Sequence, residues 1–365
     1  MQIKVGLFDI YIFLIALCKG IGLNSGSITY IAIFVTGSVL ILVKMFHERY
    51  YPYELLSMAF ITIVGLLDYL IGHTTTIFFT AVAICGLKNV DANRTVKIVF
   101  WTRLICFAFM LLGSAFGLID NTPLLFWRDG IVLNRYSFGH GHPNAAHMAF
   151  AVIFMMLLYL YGAKMKAFHF CILLAASYLL YQFTYSRTGF LMTVLCIAVF
   201  ICAKVRKLQK LLVYAGRYLY WILFAVTLAT GLLYGKVNIL YTINYWLTGR
   251  IYYNHMLLTT SFPSLIGRPL TDAIIIDNGY LFMLYEGGML VFLWISYYTR
   301  RVIKKAEYER EYAKIALVVC FMIYAMTERF YPSISVNVSL IFFGEVLFGR
   351  RKDEIPDHIH PNLQS

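Results

Sequence analysis

The chain is written in long apolar runs broken by short polar or basic stretches. Runs of roughly 18 or more apolar residues, the length that crosses a bilayer as a helix, recur from end to end. They predict twelve membrane spans, at about 5–23, 27–43, 54–71, 74–87, 98–118, 145–161, 168–184, 189–203, 211–235, 279–298, 314–327 and 335–348. Several are short for a crossing of about 20 residues, so tilt or re-entry is expected. In lipid each span must close its own backbone hydrogen bonds, which a helix does. The pattern predicts an all-α polytopic membrane protein, a single integral membrane domain over 1–365. Two loops are long, 119–144 and 236–278. Both are rich in aromatic and apolar residues, which predicts ordered lids or interfacial segments.

Composition agrees. The chain is 61% hydrophobic and 13% charged over 365 residues, more apolar than a soluble domain of that length can bury. The first apolar stretch follows Lys4 and lacks a small-residue cleavage site, so it reads as a span and not a cleaved signal. The seven cysteines all fall within predicted spans and form no CxxC pair, so they read as small buried apolar residues.

Charge then orients the chain. Most of the 31 Lys and Arg residues fall in one alternate set of loops, which places both termini in the cytoplasm. The net charge of +13 follows this topology and does not imply nucleic acid. Six arginines break the rule: Arg128, Arg135, Arg187, Arg250, Arg268 and Arg329. They lie in the opposite loops, beside His142, His255 and Asp277. Basic residues that oppose the orientation signal point to a bound anion outside the cell.

Four constellations carry candidate chemistry. In NRYSFGHGHPN (134–144), Gly139, Gly141 and Pro143 set a tight backbone, while Arg135, His140, His142 and Asn144 supply donors. The plain reading is a turn with Asn144 as helix cap, and a zinc site from His140, His142 and His147 is a weaker alternative with no fourth ligand near. In SRTG (186–189), Ser186 reads as a cap and Gly189 as a close helix contact, leaving Arg187 to snorkel or to bind. The second long loop holds TGR (248–250), His255, GRP (267–269) and DNGYL (277–281), with Asp277 either a cap or a general base. Glu328–Arg329 is an adjacent acid and base at the outer end of span eleven. Asp9, Lys19, Asp68, Arg103, Arg217, Glu286 and Glu345 fall within spans, where charge is costly and needs an account.

The order SRTG, TGR, G-x-P, DNGYL and EGG (286–288), with SFGHGHPN before them, resembles the O-antigen polymerase and ligase superfamily. Specifically it resembles Wzy-type capsular or exopolysaccharide repeat-unit polymerases, over about residues 100–345. The resemblance implies a GT-C-like membrane fold in the bacterial cytoplasmic membrane and a glycosyltransferase that uses no metal or cofactor. Its implied substrate is an oligosaccharide on undecaprenyl pyrophosphate. The growing glycan passes to the non-reducing end of a lipid-linked repeat unit at the outer face. A flippase and chain-length regulator proteins are the accompanying partners it leaves open, beside membrane lipid. By position Arg187 and Arg250 match the family's pyrophosphate-binding arginines, with Arg268 and Arg135 as further contacts. Asn144, Asn278, His255, Glu328 and Arg329 stand as supporting residues. The ligase branch has a histidine where this chain has Asp277, which favours a polymerase. Asp277 and His142 both remain candidates for the base. An O-antigen-type ligase and a lipid-linked oligosaccharide flippase are the alternatives.

Overall fold

The computed structural model describes residues 6–23, 27–128, 130–270 and 275–349. Helices follow one another in the order α1 (Leu7–Gly20), α2 (Ile28–Phe46), α3 (Pro52–Gly72), α4 (Thr75–Cys85), α5 (Ala92–Ala115), α6 (Pro143–Tyr161), α7 (Ala167–Thr184), α8 (Arg187–Lys204) and α9 (Arg206–Leu233). After these come α10 (Ile239–Trp246), α11 (Arg250–Thr260), α12 (Gly279–Tyr285), α13 (Gly288–Tyr308), α14 (Tyr312–Tyr324) and α15 (Phe343–Leu347). Each predicted apolar stretch holds helical residues. Among the described residues seven helices are long and apolar enough to cross a membrane: α2, α3, α5, α6 with its extension to Lys164, α7, α8 and α9. Thr75–Cys85, Tyr312–Tyr324 and Val338–Leu347 are apolar but shorter.

The packing sorts the helices by depth. Ile315 to Met322 of α14 are all buried, so this helix is apolar all round because it is the centre of the bundle. It packs on α6, α8, α9 and α13. In α7 only Ser177, Leu180 and Thr184 are buried, and Ile172, Leu179 and Phe183 face outward. Such outward apolar side chains recur on α2, α3 and α5, as expected where the surrounding solvent is lipid.

Two segments depart from the plain helical expectation. The first long loop contains a hairpin, β1 (Leu124–Arg128) paired antiparallel with β2 (Ile131–Arg135). Gly130 in its turn has φ +77°, a conformation glycine adopts without strain. The span expected at 279–298 is two helices, α12 and α13, broken at Glu286–Gly288. Gly288 has φ +81°, and a Cβ there would meet the backbone of Leu265, Ile266 and Gly267 at 2.6–2.7 Å. That backbone caps the break: Met289 N–H donates to Ser264 O at 2.9 Å and Leu290 N–H to Leu265 O at 3.2 Å. Irregular backbone inside a membrane protein survives when buried protein satisfies it in this way.

Most charges placed in spans by the sequence have partners. Asp9 pairs with Arg94 at 2.8 Å, Glu345 with Lys314 at 2.7 Å, and Arg217 with Glu307. Glu54, fully buried, pairs with Lys88. Asp68 has both carboxylate oxygens buried and without a hydrogen-bond partner among the described residues. The charges assigned to the two termini, Lys4 and 350–352, lie outside the described residues.

Candidate functional site

A cavity of about 510 Å³ opens where four helix ends meet: the starts of α6, α8 and α11 and the approach to α12. Its lining includes Arg128, Arg135, His142, Asn144, Arg187, Arg250, Asp277 and Glu328. Four arginines thus face two carboxylates in one chamber. Thr184, Ser186 and Thr327, at the ends of α7 and α14, complete the neighbourhood. A larger cavity of about 620 Å³ lies at the opposite ends of α6, α8 and α14. It is lined by Lys97, Lys204, Arg310 and Lys314, the residues assigned to cytoplasmic loops. Two of these four cations are already engaged: Lys204 donates to Gly162 O and Met165 O, and Lys314 binds Glu345. The smaller cavity, lined by the arginines assigned to outer loops, is the better candidate site.

Local sequence explains how each side chain is held. Gly139 and Gly141 have φ +76° and +75°, so SFGHGHPN makes the tight entry into α6 that its glycines predict. The cap is His142 and not Asn144. Pro143 starts the helix, and His142 Nδ1 accepts the backbone N–H of Asn144 at 3.1 Å. That bond fixes the tautomer: the ring proton sits on Nε2, so His142 offers a donor and no free basic nitrogen there. Desolvation first, and then Arg135, lower its pKa against an opposing pull from Asp277, which keeps the ring neutral. Asn144 Oδ1 is used in turn by Arg135 Nη2 at 2.6 Å.

Arg135 ends β2 and lies against the last turn of α7. Its Nε donates to Thr184 O at 2.8 Å, and Tyr136 N–H donates to Phe183 O at 2.9 Å, so the hairpin caps exposed helix carbonyls. The guanidinium stacks on Phe126 at 5.3 Å. These bonds use two of its five N–H donors. Burial, with Arg128 and Arg250 nearby, lowers its pKa to about 10, which still leaves it cationic at neutral pH. Arg187 is the first residue of α8 and reaches over Trp246 and Tyr245 of α10, at 5.7 and 6.0 Å. Ser186 occupies the cap position of α8, but its side chain makes no capping bond. Gly189 behaves as expected, since a Cβ there would strike the His147 ring.

Arg250 is the most tightly held of the group, only 5% exposed. Gly249, at φ +86°, turns the chain into α11 and brings the side chain to the end of α14. Nε donates to Thr327 O at 2.9 Å, Nη1 to Leu247 O and Thr248 Oγ1 at 3.2 and 2.8 Å, and Nη2 to Glu328 Oε1 at 3.1 Å. Four of its five donors are therefore used within the protein. Asp277 Oδ2 lies 3.6 Å from Arg250 Nε, with the carboxylate side chain 40% exposed to the cavity. Glu328 is pushed up to about 7 by burial, aided by Asp277 and opposed by Arg250.

Other expected site residues lie elsewhere. Asn278, not Asp277, caps α12: its Oδ1 accepts from Tyr280 and Leu281, and its Nδ2 donates to Thr227 Oγ1 and Met326 O. His255 Nδ1 bonds Gly231 O at 2.8 Å and its ring packs on Tyr234, which ties α11 to α9. Arg268 bonds through its backbone N–H to Tyr285 O at the α12–α13 break and does not line the cavity. Arg329 is exposed and lies near Glu286 instead. The three histidines of the zinc alternative do not converge. Both nitrogens of His147 are taken, by Thr184 and Ser177, while His140 stacks on Phe107. Sequence reasoning sets Arg128 among the six outer arginines but reads it as a surface pair with Asp129, and it does not find Tyr185, Thr188, Thr248 and Tyr253 as lining residues. The signal for Arg128 was present in the sequence, an Asp-Gly pair between LLFWR and IVLNR of the kind that joins hairpin strands.

No known protein family, curated protein or solved structure matches this chain.

Proposed function

We propose that the protein is a polysaccharide polymerase of the outer face of a bacterial cytoplasmic membrane. It transfers a growing glycan from undecaprenyl pyrophosphate to the non-reducing end of a lipid-linked repeat unit. The observation that carries this reading is the convergence of Arg135, Arg187 and Arg250 with Glu328 and Asp277 on one cavity at the ends of membrane helices. In this reading the twelve apolar stretches are spans, both termini are cytoplasmic, and the α10–α11 segment and the hairpin are outer lids. Exposed Leu125, Trp127, Ile131, Tyr245 and Trp246 on those lids suit an interface that admits a lipid tail.

The chemistry follows from the donors. The acceptor hydroxyl attacks the anomeric carbon as the bond from that carbon to the phosphate oxygen breaks. The bonding pair leaves with the lipid pyrophosphate, and the hydroxyl proton passes to a carboxylate. Arg135 and Arg187 face the leaving phosphate, where charge grows most in the transition state. Arg250, with one donor left, acts as a fixed positive charge that orients Glu328 and Asp277. Glu328 is the base, because a carboxylate near pH 7 combines ionisation with basicity. His142 donates from Nε2 to a phosphate or sugar oxygen. Attack opposite the leaving group inverts the anomeric centre.

The flippase alternative is disfavoured because the arginines of this cavity, Arg128, Arg135, Arg187 and Arg250, gather at one end of α6, α8 and α14 and do not run through the bundle. A ligase would use nearly the same cavity. The test is polymer length in cells carrying Arg135→Ala, Arg187→Ala or Arg250→Ala at unchanged protein level. Loss of long chains in all three is expected, and normal chains in the Arg187 and Arg250 variants would sink the proposal.

A further inference from the structure

Behind the outer cavity lies a second one, of about 110 Å³, that the reading above does not use. Lys19, Arg103 and His140 line it, and Ala145 and Met148 of α6 form a wall common to both cavities. Among the described residues no carboxylate lines it. Arg103 and His140 are 4% and 6% exposed. Arg103 Nη2 donates to Ser335 O, yet its Nε and His140 Nε2 are buried without a hydrogen-bond partner among the described residues. An unpaired buried donor, above all a cationic one, is expensive. The pocket is nevertheless built firmly. Gly22, at φ +74°, lets the end of α1 pass so close to the 139–140 backbone that a Cβ would lie 2.8 Å from Gly139 O. His140 is held flat against Phe107 at 5.7 Å.

We propose that this second cavity is an anion subsite that takes one phosphate-sized group, bound by Arg103 Nε, His140 Nε2 and the Lys19 ammonium. At roughly 30 Å³ per water, the space holds about three to four water-sized groups, room for one compact tetrahedral anion and no sugar ring. The occupant gives Arg103 Nε an acceptor, selects the His140 tautomer that carries its proton on Nε2, and gives the buried guanidinium a counter-charge. The phosphate of a lipid headgroup and a free or substrate-borne phosphate share this chemistry. The subsite does not depend on the glycosyl-transfer reading, which uses only the outer cavity.

The test is equilibrium dialysis of the purified full chain in lipid-free detergent with radiolabelled inorganic phosphate. One saturable site should survive the double substitution Arg135→Gln, Arg187→Gln, which removes outer-cavity cations. In that background Arg103→Gln, Lys19→Gln and His140→Phe should each weaken it about tenfold, the loss of one charge-assisted contact. His140→Phe keeps the ring on Phe107 and Lys19 is only half-buried, so both variants retain the fold. Repeating the titration in phosphatidylglycerol nanodiscs separates the sources. Loss of the site there assigns a lipid headgroup, and retention assigns a soluble or substrate phosphate. Absence of a surviving site in detergent, or binding by the Lys19 and His140 variants as tight as in the unaltered background, overturns the proposal and leaves the polymerase reading standing.

Discussion

In the proposed polymerase reaction, Glu328 and Arg250 carry the chemistry at the scale of single residues. Glu328 titrates near 7 because burial and Asp277 oppose its ionisation more than Arg250 favours it. As the base it acts only when deprotonated, so kcat/KM should rise with pH through about 7 and level off above. Glu328→Gln should remove that rising limb along with most of the activity, and a pH profile unchanged in the variant would rule Glu328 out. Arg250 differs from Arg135 in what its donors do. Arg250→Lys keeps the charge but loses the bonds to Thr327, Leu247 and Thr248, so it should lower both thermal stability and kcat. Arg135→Lys leaves Arg250 and Glu328 in place. It should lower kcat by about 10²–10³ if Arg135 meets the transition-state phosphate, and steady-state kinetics on both variants separates the two roles. Residue types and their shared side were legible in the sequence. Their caps were not, since Asn144 against His142 and Asp277 against Asn278 differ by a residue or two, within the ordinary uncertainty of a helix end.

Among elements, the broken span is the clearest departure from a plain helical pattern. EGG at 286–288 and Gly267 belong together: a Cβ on Gly267 would overlap Glu286 O and Asp68 Oδ1. Gly267→Ala and Gly288→Ala should each lower the melting temperature. At Gly288 the left-handed backbone alone costs about 1–2 kcal/mol before any overlap. A melting temperature within a degree of the unsubstituted protein would mean that the loop does not sit on the break. Hydropathy cannot show such a break, because Tyr285, Glu286 and the two glycines interrupt an apolar run too briefly to end it. The hairpin was legible from Asp129–Gly130 and its apolar flanks, but the expectation of helices in lipid hid it.

For the whole molecule, residues that loop charge assigns to opposite sides line two cavities at opposite ends of α6, α8 and α14. Contacts far apart in sequence, such as Lys19 and Arg103 with His140, depend on tertiary packing and leave no local trace. The proposed orientation has a direct check. With native cysteines replaced, Thr248→Cys in intact cells should react with a membrane-impermeant maleimide. Lys204→Cys should react only after permeabilisation, and the reverse pattern would invert the topology. The central claim is that the outer cavity polymerises lipid-linked glycan, and purified protein given undecaprenyl-pyrophosphate-linked repeat units tests it most directly. The account predicts a ladder of products from the unsubstituted chain and none from Arg187→Ala or Glu328→Gln. A single transfer to a foreign acceptor, or no product from the unsubstituted chain, would contradict it.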